Sequence, residues 1–236
     1  MRTSARQRRD LILAELYAEK EVNASTLAET LSVSEATVRR DLRALAEEGQ
    51  VLLNYGGATL PNHVDFSYRS KAMRNMEAKR IIGELAGRLI SEGDQIFIDS
   101  GTTCAQLTPH LKRKCSVSVI LNSARLALEL DSPNLQVILL GGEYRPDRMD
   151  NVGPLANTTL SELHGYKAFV SADGLSRDVG LMASDVESAY IFRIAVANAK
   201  ETTLLADHSK FYASALCKIV DWQSISRVVT DQRPDE

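Results

Sequence analysis

Ser34-Glu35-Ala36-Thr37-Val38-Arg39-Arg40-Asp41 decides the fold of the first part of this chain. Ser is a residue type that accepts a backbone N–H and opens a helix. In the helix that follows, Val38, Leu42 and Leu45 recur at offsets of four and three and form one apolar stripe. Thr37, Arg39, Arg40 and Arg43 are left on the other side, among short or charged neighbours. Hydroxyls and guanidinium forks on the leading turns of an outward-facing helix can reach phosphates and base edges in a DNA major groove. A second helical pattern, residues 25–31, lies just upstream with Leu27, Ala28 and Leu31 as its apolar positions. Only Ser32 and Val33 separate the two. So short a turn between two helices predicts a helix-turn-helix.

The alternative is a pair of ordinary surface helices with solvated arginines. Three neighbouring features weigh against it. A further helix is expected over residues 4–18, with Leu11, Ile12, Leu16 and Tyr17 on its apolar side, and Gly49 stands where a helix C-cap belongs. Residues 51–53, 54–57 and 58–60 then read as strand, glycine turn and strand. Three helices and a β-hairpin make a winged helix-turn-helix over residues 1–60. The DNA-contacting residues expected from this layout are Ser34, Glu35, Thr37, Arg39, Arg40 and Arg43 on the second helix of the motif. Arg8 and Arg9 at the start of the first helix and Tyr55 on the wing are expected to touch the backbone.

Charge narrows the kind of DNA binding. The 236 residues carry a formal net charge of −3, and residues 1–60 hold eight Lys/Arg against nine Asp/Glu. The basic residues are segregated at the two helix starts, and local potential rather than net charge steers a polyanion. Binding to a specific site is therefore expected, and strong non-specific affinity is not. The hydrophobic share of 44% and charged share of 25% are those of an ordinary globular protein. No apolar run approaches the ~20 residues needed to cross a bilayer, and the N-terminus lacks the apolar segment of a signal peptide. Cys104, Cys115 and Cys217 are widely spaced and without companion ligands, so they read as reduced thiols rather than a disulfide or metal site. A cytoplasmic location, no membrane partner, no metal and no cofactor are expected.

Residues 61–75 lose regular periodicity and read as a linker. A helix is expected over residues 76–90, with Ile81, Ile82, Leu85, Leu89 and Ile90 on its apolar face. Beyond it, apolar strands are expected at 95–99, 116–121, 135–140, 167–171, 202–206 and 227–230. They alternate with helical stretches at 103–111, 124–130, 153–163 and 185–199. That alternation predicts an α/β domain over residues 76–236 whose mostly parallel sheet is covered on both faces.

Ligands of such sheets bind beyond the carboxyl ends of the strands. The residues standing there are Asp99-Ser100-Gly101-Thr102-Thr103, Asn122-Ser123, Gly141-Gly142, Asp173-Gly174 and Asp207-His208-Ser209-Lys210. Small hydroxyl-bearing residues at a strand-to-helix turn let N–H groups and hydroxyls surround an anion beside a helix N-terminus. Each turn alone has a plainer reading as a capped helix, a tight turn or a surface lysine. Together they describe a polar, phosphate-binding pocket. Neither a P-loop nor the Gly-x-Gly-x-x-Gly dinucleotide fingerprint occurs, which speaks against a nucleotide-binding redox sensor.

The chain resembles the DeoR family of bacterial sugar-metabolism regulators along essentially its whole length. The matching pieces are Arg8-Arg9, residues 31–42, Gly-Gly-Ala at 56–58, Ile-Asp-Ser-Gly-Thr-Thr at 98–103, Asn-Ser at 122–123, Gly-Gly-Glu at 141–143 and Asp-His-Ser-Lys-Phe at 207–211. The resemblance implies a winged helix-turn-helix joined to a sensor domain similar to ribose-5-phosphate isomerase and glucosamine-6-phosphate deaminase. It implies a repressor of a carbohydrate operon that answers to a phosphorylated sugar and acts on double-stranded operator DNA as a homodimer or homotetramer. By matching position, Ser100, Gly101, Thr102 and Thr103 would hold the phosphate, and Asn122, Asp173, Glu187 and Lys210 the sugar hydroxyls. Leu53 stands where the family commonly carries Arg, so one wing contact is expected to be missing. The runner-up reading is a sugar-phosphate isomerase or deaminase with a DNA-binding arm, with Asp173 as base and Lys210 near the carbonyl. No second acid is convincingly placed beside them apart from Glu187.

Overall fold

The structure, a computed structural model, describes residues 4–19, 21–47, 50–60 and 68–233. The chain divides into two units, Met1–Arg74 and Asn75–Glu236. In the first, helices α1 (Ala5–Glu19), α2 (Ala24–Thr30) and α3 (Glu35–Glu47) enclose one core. The stripe Val38, Leu42 and Leu45 of α3 is buried there with Leu27 of α2. On α1 the buried residues are Ile12, Leu13 and Leu16, whereas Leu11 is 50% exposed. At 3.6 residues per turn the three buried positions share one arc of about 100°, and Leu11 falls outside it. That corrects the expected face of α1. The Tyr17 side chain and Gly49 lie outside the described residues.

Between α2 and α3 the chain reverses through Ser32, which adopts a left-handed φ of 52°. Ser34 then opens α3 as expected. Its Oγ accepts the Thr37 N–H at 3.3 Å and pairs with Thr37 Oγ1 at 2.9 Å. The wing forms from β2 (Leu52–Leu53) and β3 (Gly57–Thr59). Asn54 closes its turn by accepting the Gly57 and Gly56 N–H groups at 2.7 and 3.2 Å. A third strand, β1 (Glu21–Asn23), pairs with the other side of β3 and was not foreseen. It explains Gly57, because a Cβ there would sit 1.8 Å from the Val22 carbonyl oxygen.

The expected linker is partly helical. Residues 61–67 lie outside the described residues, but Tyr68–Met73 forms α4, with Tyr68 buried and Met73 packed on the N-terminal core. Six residues are under two turns, too few to show a period in sequence.

The second unit opens with α5 (Met76–Gly87), whose buried face is Lys79, Ile82, Gly83, Ala86 and Gly87 rather than one through Leu85, which is exposed. The cause is close approach. A Cβ on Gly83 would meet Gln106 Cβ at 2.5 Å, and one on Gly87 would meet the His110 side chain at 2.7 Å. Six parallel strands follow: β4 (Gln95–Ile98), β5 (Val117–Leu121), β6 (Leu135–Leu139), β9 (Lys167–Val170), β12 (Glu201–Leu205) and β14 (Arg227–Val229). Their order is β14-β12-β9-β4-β5-β6. Connecting helices are α6 (Thr108–Leu111), α7 (Ala124–Glu129), α8 (Pro154–Ser161) and α9 (Val186–Asn198). All six expected strands and all four helical stretches are present. The hairpin β7 (Glu143–Arg145) and β8 (Asp150–Val152) is additional. So is the small antiparallel sheet of β10 (Gly174–Ser176), β11 (Gly180–Ala183) and β13 (Cys217–Val220).

Topology positions the site. From β4 the chain steps outward to β5 and β6, then returns to place β9 on the other side of β4. Connections leaving neighbouring strands in opposite directions open a crevice at their carboxyl ends, the topological switch point. Here it lies between the ends of β4 and β9.

Candidate functional site

On α3 the side chains of Arg39, Arg40 and Arg43 are exposed, with Ser34 and Glu35 exposed and Thr37 half-buried at its start. Arg39 is held along the helix by Glu35, Nε to Oε1 at 2.9 Å. An exposed pair of this kind contributes little to stability and can open toward a phosphate. Tyr55 is fully exposed at the wing turn, beside exposed Leu52 and Leu53. Arg9 is half-buried and its Nε donates to the Ala5 carbonyl at 3.4 Å.

Arg8 is placed otherwise than expected. Its guanidinium forks onto Asp41 of α3, Nε to Oδ2 at 2.5 Å and Nη2 to Oδ1 at 3.2 Å, with both side chains largely buried. A bidentate pair in so dry a setting fixes the angle of α3 against α1 instead of reaching outward. Asp41 belongs to the deciding stretch, yet its role was not legible, since a polar residue on a helix gives no sign of a partner 33 positions away.

In the second unit the crevice between β4 and β9 is built around Asp99, which is fully buried. Its Oδ1 accepts the Gly101 N–H at 2.7 Å, and its Oδ2 accepts both the Ser171 N–H and, at 2.8 Å, the Ser171 hydroxyl. Burial holds the Asp99 carboxyl above its usual range, against the opposing pull of those hydrogen bonds. Asp99 therefore clamps the end of β4 to the end of β9 and shapes the Ser100–Thr103 turn. Gly101 is required by this clamp, because a Cβ would stand 2.1 Å from Ser171 Oγ and 2.8 Å from Asp99 Oδ1. Gly101→Ala is expected to lower stability by about 1–3 kcal/mol through overpacking. Adding Ser171→Gly should recover part of it, as chemical denaturation would measure.

Ser100 points into a charge network absent from the sequence-based site. Its Oγ donates to Asp150 Oδ2 at 2.9 Å. Asp150, buried on β8, receives Nε and Nη2 of Arg145, each at 2.8 Å. Arg145 also reaches Asp185 Oδ1 at 2.8 Å and Ser188 Oγ at 3.0 Å, and Arg148 pairs with Asp185 at 2.7 Å. Burial alone would raise Asp185, but the Ser188 N–H and both guanidiniums hold its carboxyl below the usual range. Asp185 also caps α9. The signal in sequence was the pair Arg145 and Arg148 just after Gly141-Gly142.

The remaining expected residues divide. Asn122 and Ser123 are fully buried beside β8, where Asn122 O accepts the Asn151 N–H. Ser123 Oγ accepts Leu126 N–H, the plain helix cap. Gly142 lies where a Cβ would meet the Val152 carbonyl at 2.4 Å, so it shapes the hairpin, while Gly141 is exposed. Gly174 gives the Ala213 carbonyl room to approach. Asp173 accepts the Ser184 N–H at 2.8 Å. Lys210 is half-buried in the turn after β12. Glu187 is exposed in the first turn of α9 and makes no hydrogen bond or ion pair with the crevice residues. A cleft of about 340 Å³ lined by Arg193, Lys200, Glu201, Thr202, Ser224 and Ser226 lies at the amino end of β12 and holds none of the expected residues.

Among the described residues no helix is long and apolar enough to cross a membrane. Residues 8–64 match the family model of the DeoR-like helix-turn-helix domain, and residues 74–232 that of the DeoR C terminal sensor domain. The chain is similar to the HTH-type transcriptional repressor CsqR of Escherichia coli, 31% identical over 229 residues, covering 96% of this chain and 88% of that protein. It is also similar to the lactose phosphotransferase system repressor of Staphylococcus epidermidis, 33% identical over 216 residues, covering 89% and 85%. A solved ribose 5-phosphate isomerase A from Methanocaldococcus jannaschii superimposes over 58% of this chain and 54% of that one, at 20% identity and a TM-score of 0.43.

Proposed function

The chain belongs to the DeoR family of transcriptional regulators, and from that premise we propose that it represses a carbohydrate catabolic operon in the cytoplasm under control of a phosphorylated sugar. In this reading Thr37, Arg40 and Arg43 of α3 meet the operator, with Arg39 joining them once it leaves Glu35. The wing around Tyr55 lies on the backbone. A homo-oligomer, at least a dimer, presents two such helices to half-sites about one helical turn apart.

The observation that carries the sensor half is the Ser100–Thr103 turn at the switch point, held open by the Asp99 clamp. In this reading the N–H groups and hydroxyls of that turn receive a phosphate dianion beside a helix start. Asn122, Asp173 and Lys210 are the groups nearest in topology for the sugar hydroxyls. Asp173 already accepts the Ser184 N–H, which suits a binding residue better than a free catalytic base, so we read the pocket as a sensor rather than an active site.

Control follows from linkage: an effector shifts operator affinity only if it prefers one arrangement of the protein over another. Phosphate at Ser100 would draw on the hydroxyl now donated to Asp150 and, through Arg145 and Asp185, on the start of α9. A thermal-shift screen against phosphorylated and unphosphorylated sugars tests this. A ligand at one hundred times its Kd should stabilise the protein by about 2.7 kcal/mol, and the same compound should change operator affinity. A panel without a single phosphorylated hit would leave the turn a helix cap and sink the sensor reading.

A further inference from the structure

We propose that the outer face of α9 is where two copies of this chain pair, the helices running antiparallel about a two-fold axis at Tyr190. The first observation is compositional. Over Val186–Asn198 the only charged residues are Glu187 and Arg193, and a helix that is apolar all round is one that is covered all round. One side meets that requirement: Ala189, Ile191, Phe192, Ala195 and Val196 are buried in the core. The other does not. Val186 is 64% and Tyr190 49% exposed, Ala197 is exposed and Ile194 half-buried, all along one line of the helix.

Neighbouring residues widen the patch. Leu175 N–H donates to the Ala213 carbonyl, and Cys217 pairs with Ala183 just before α9. The segment between carries Leu216, 80% exposed, one residue before the strand that pairs with β11. Exposed apolar residues grouped along one helix face in this way mark an interface.

Charge identifies the occupant as a second copy. Glu187 has no ion pair among the described residues. Arg193 donates Nε to the Ile219 carbonyl at 3.0 Å and Nη2 to the Lys218 carbonyl at 2.7 Å, which anchors the guanidinium at the surface with no carboxylate on it. A two-fold axis at Tyr190 brings Glu187 of each copy opposite Arg193 of the other, and Val186 opposite Ile194. Both charges are matched twice, and the face is self-complementary, as an isologous interface requires. A parallel arrangement leaves the like charges together.

The experiment uses the full chain with Cys115→Ser, since Cys115 is an exposed free thiol. Light scattering should give a dimer or a multiple of it. Tyr190→Cys should form a disulfide-linked dimer on mild oxidation, and Leu128→Cys, 82% exposed elsewhere, should not. Glu187→Arg should weaken self-association about tenfold or more. Mixing it with Arg193→Glu should restore association between unlike copies only. A monomeric parent, or an oligomer insensitive to Glu187→Arg that resists cross-linking at position 190, would overturn the proposal and leave the face to another occupant. If Arg193→Glu fails to fold, the cross-link and Glu187→Arg still decide.

Discussion

Arg40→Ala is expected to weaken operator binding by between about thirty-fold and twenty-thousand-fold. A guanidinium that grips a base edge or phosphate in the major groove is worth about 1–3 kcal/mol, and a dimer presents two of them. Arg40 is exposed on α3 and has no ion pair among the described residues, so its removal leaves the fold untouched and the loss falls on binding. Arg39→Ala should cost less, because Glu35 competes for that side chain in the free protein. Fluorescence anisotropy with operator and unrelated DNA at several salt concentrations separates the roles. Loss confined to the operator, with an unchanged salt slope, assigns Arg40 to a base. Uniform loss with a shallower slope assigns it to a phosphate. Unchanged affinity would mean that α3 does not read the DNA.

The second large effect is on stability. Asp41→Ala is expected to destabilise the N-terminal unit by about 3–5 kcal/mol, because it removes the buried carboxylate onto which the Arg8 guanidinium forks. That is a large share of the 5–15 kcal/mol that typical domains possess. Operator binding and protease resistance of the N-terminal unit should fall together. Replacing both partners, Arg8→Met with Asp41→Leu, should restore most of the stability, since an apolar pair of similar volume carries no desolvation penalty. The double variant also tests the remaining question about Arg8. Recovered folding with recovered operator affinity makes Arg8 purely structural, whereas recovered folding with weakened binding gives it a DNA contact as well. If Asp41→Ala alone is neutral, the pair does not hold α3 in place.

Legibility tracked the range of the interactions involved. The stripe Val38-Leu42-Leu45, the cap at Ser34 and the six apolar strands were readable because each rests on a period or on neighbours within a turn. Readings failed where a distant partner chose between local options. Leu11 and Leu85 are exposed because the packed faces of α1 and α5 are rotated from those expected, on α5 by the approach of Gln106 and His110 to two glycines. The strand β1 is three residues long and exists only because β3 offers it an edge. Helix α4 is too short to announce itself and is held by packing on the N-terminal core.

The candidate site divides the same way. Asp-Ser-Gly-Thr-Thr after a strand was legible as a polar strand-to-helix turn, since hydroxyls, glycine and a helix start are local chemistry. The order of the strands, which puts Ser171 against Asp99, and the hairpin that carries Arg145 to Asp150 and Asp185 are not local. The sequence by itself therefore determined the helices and wing of the N-terminal motif, the six parallel strands and the helices between them, and with them the family. Tertiary structure alone decided what each charged side chain faces. Arg8 looked like Arg40 along the chain and differs only in having a buried carboxylate within reach, because burial and pairing are properties of contacts between elements that sequence order does not record.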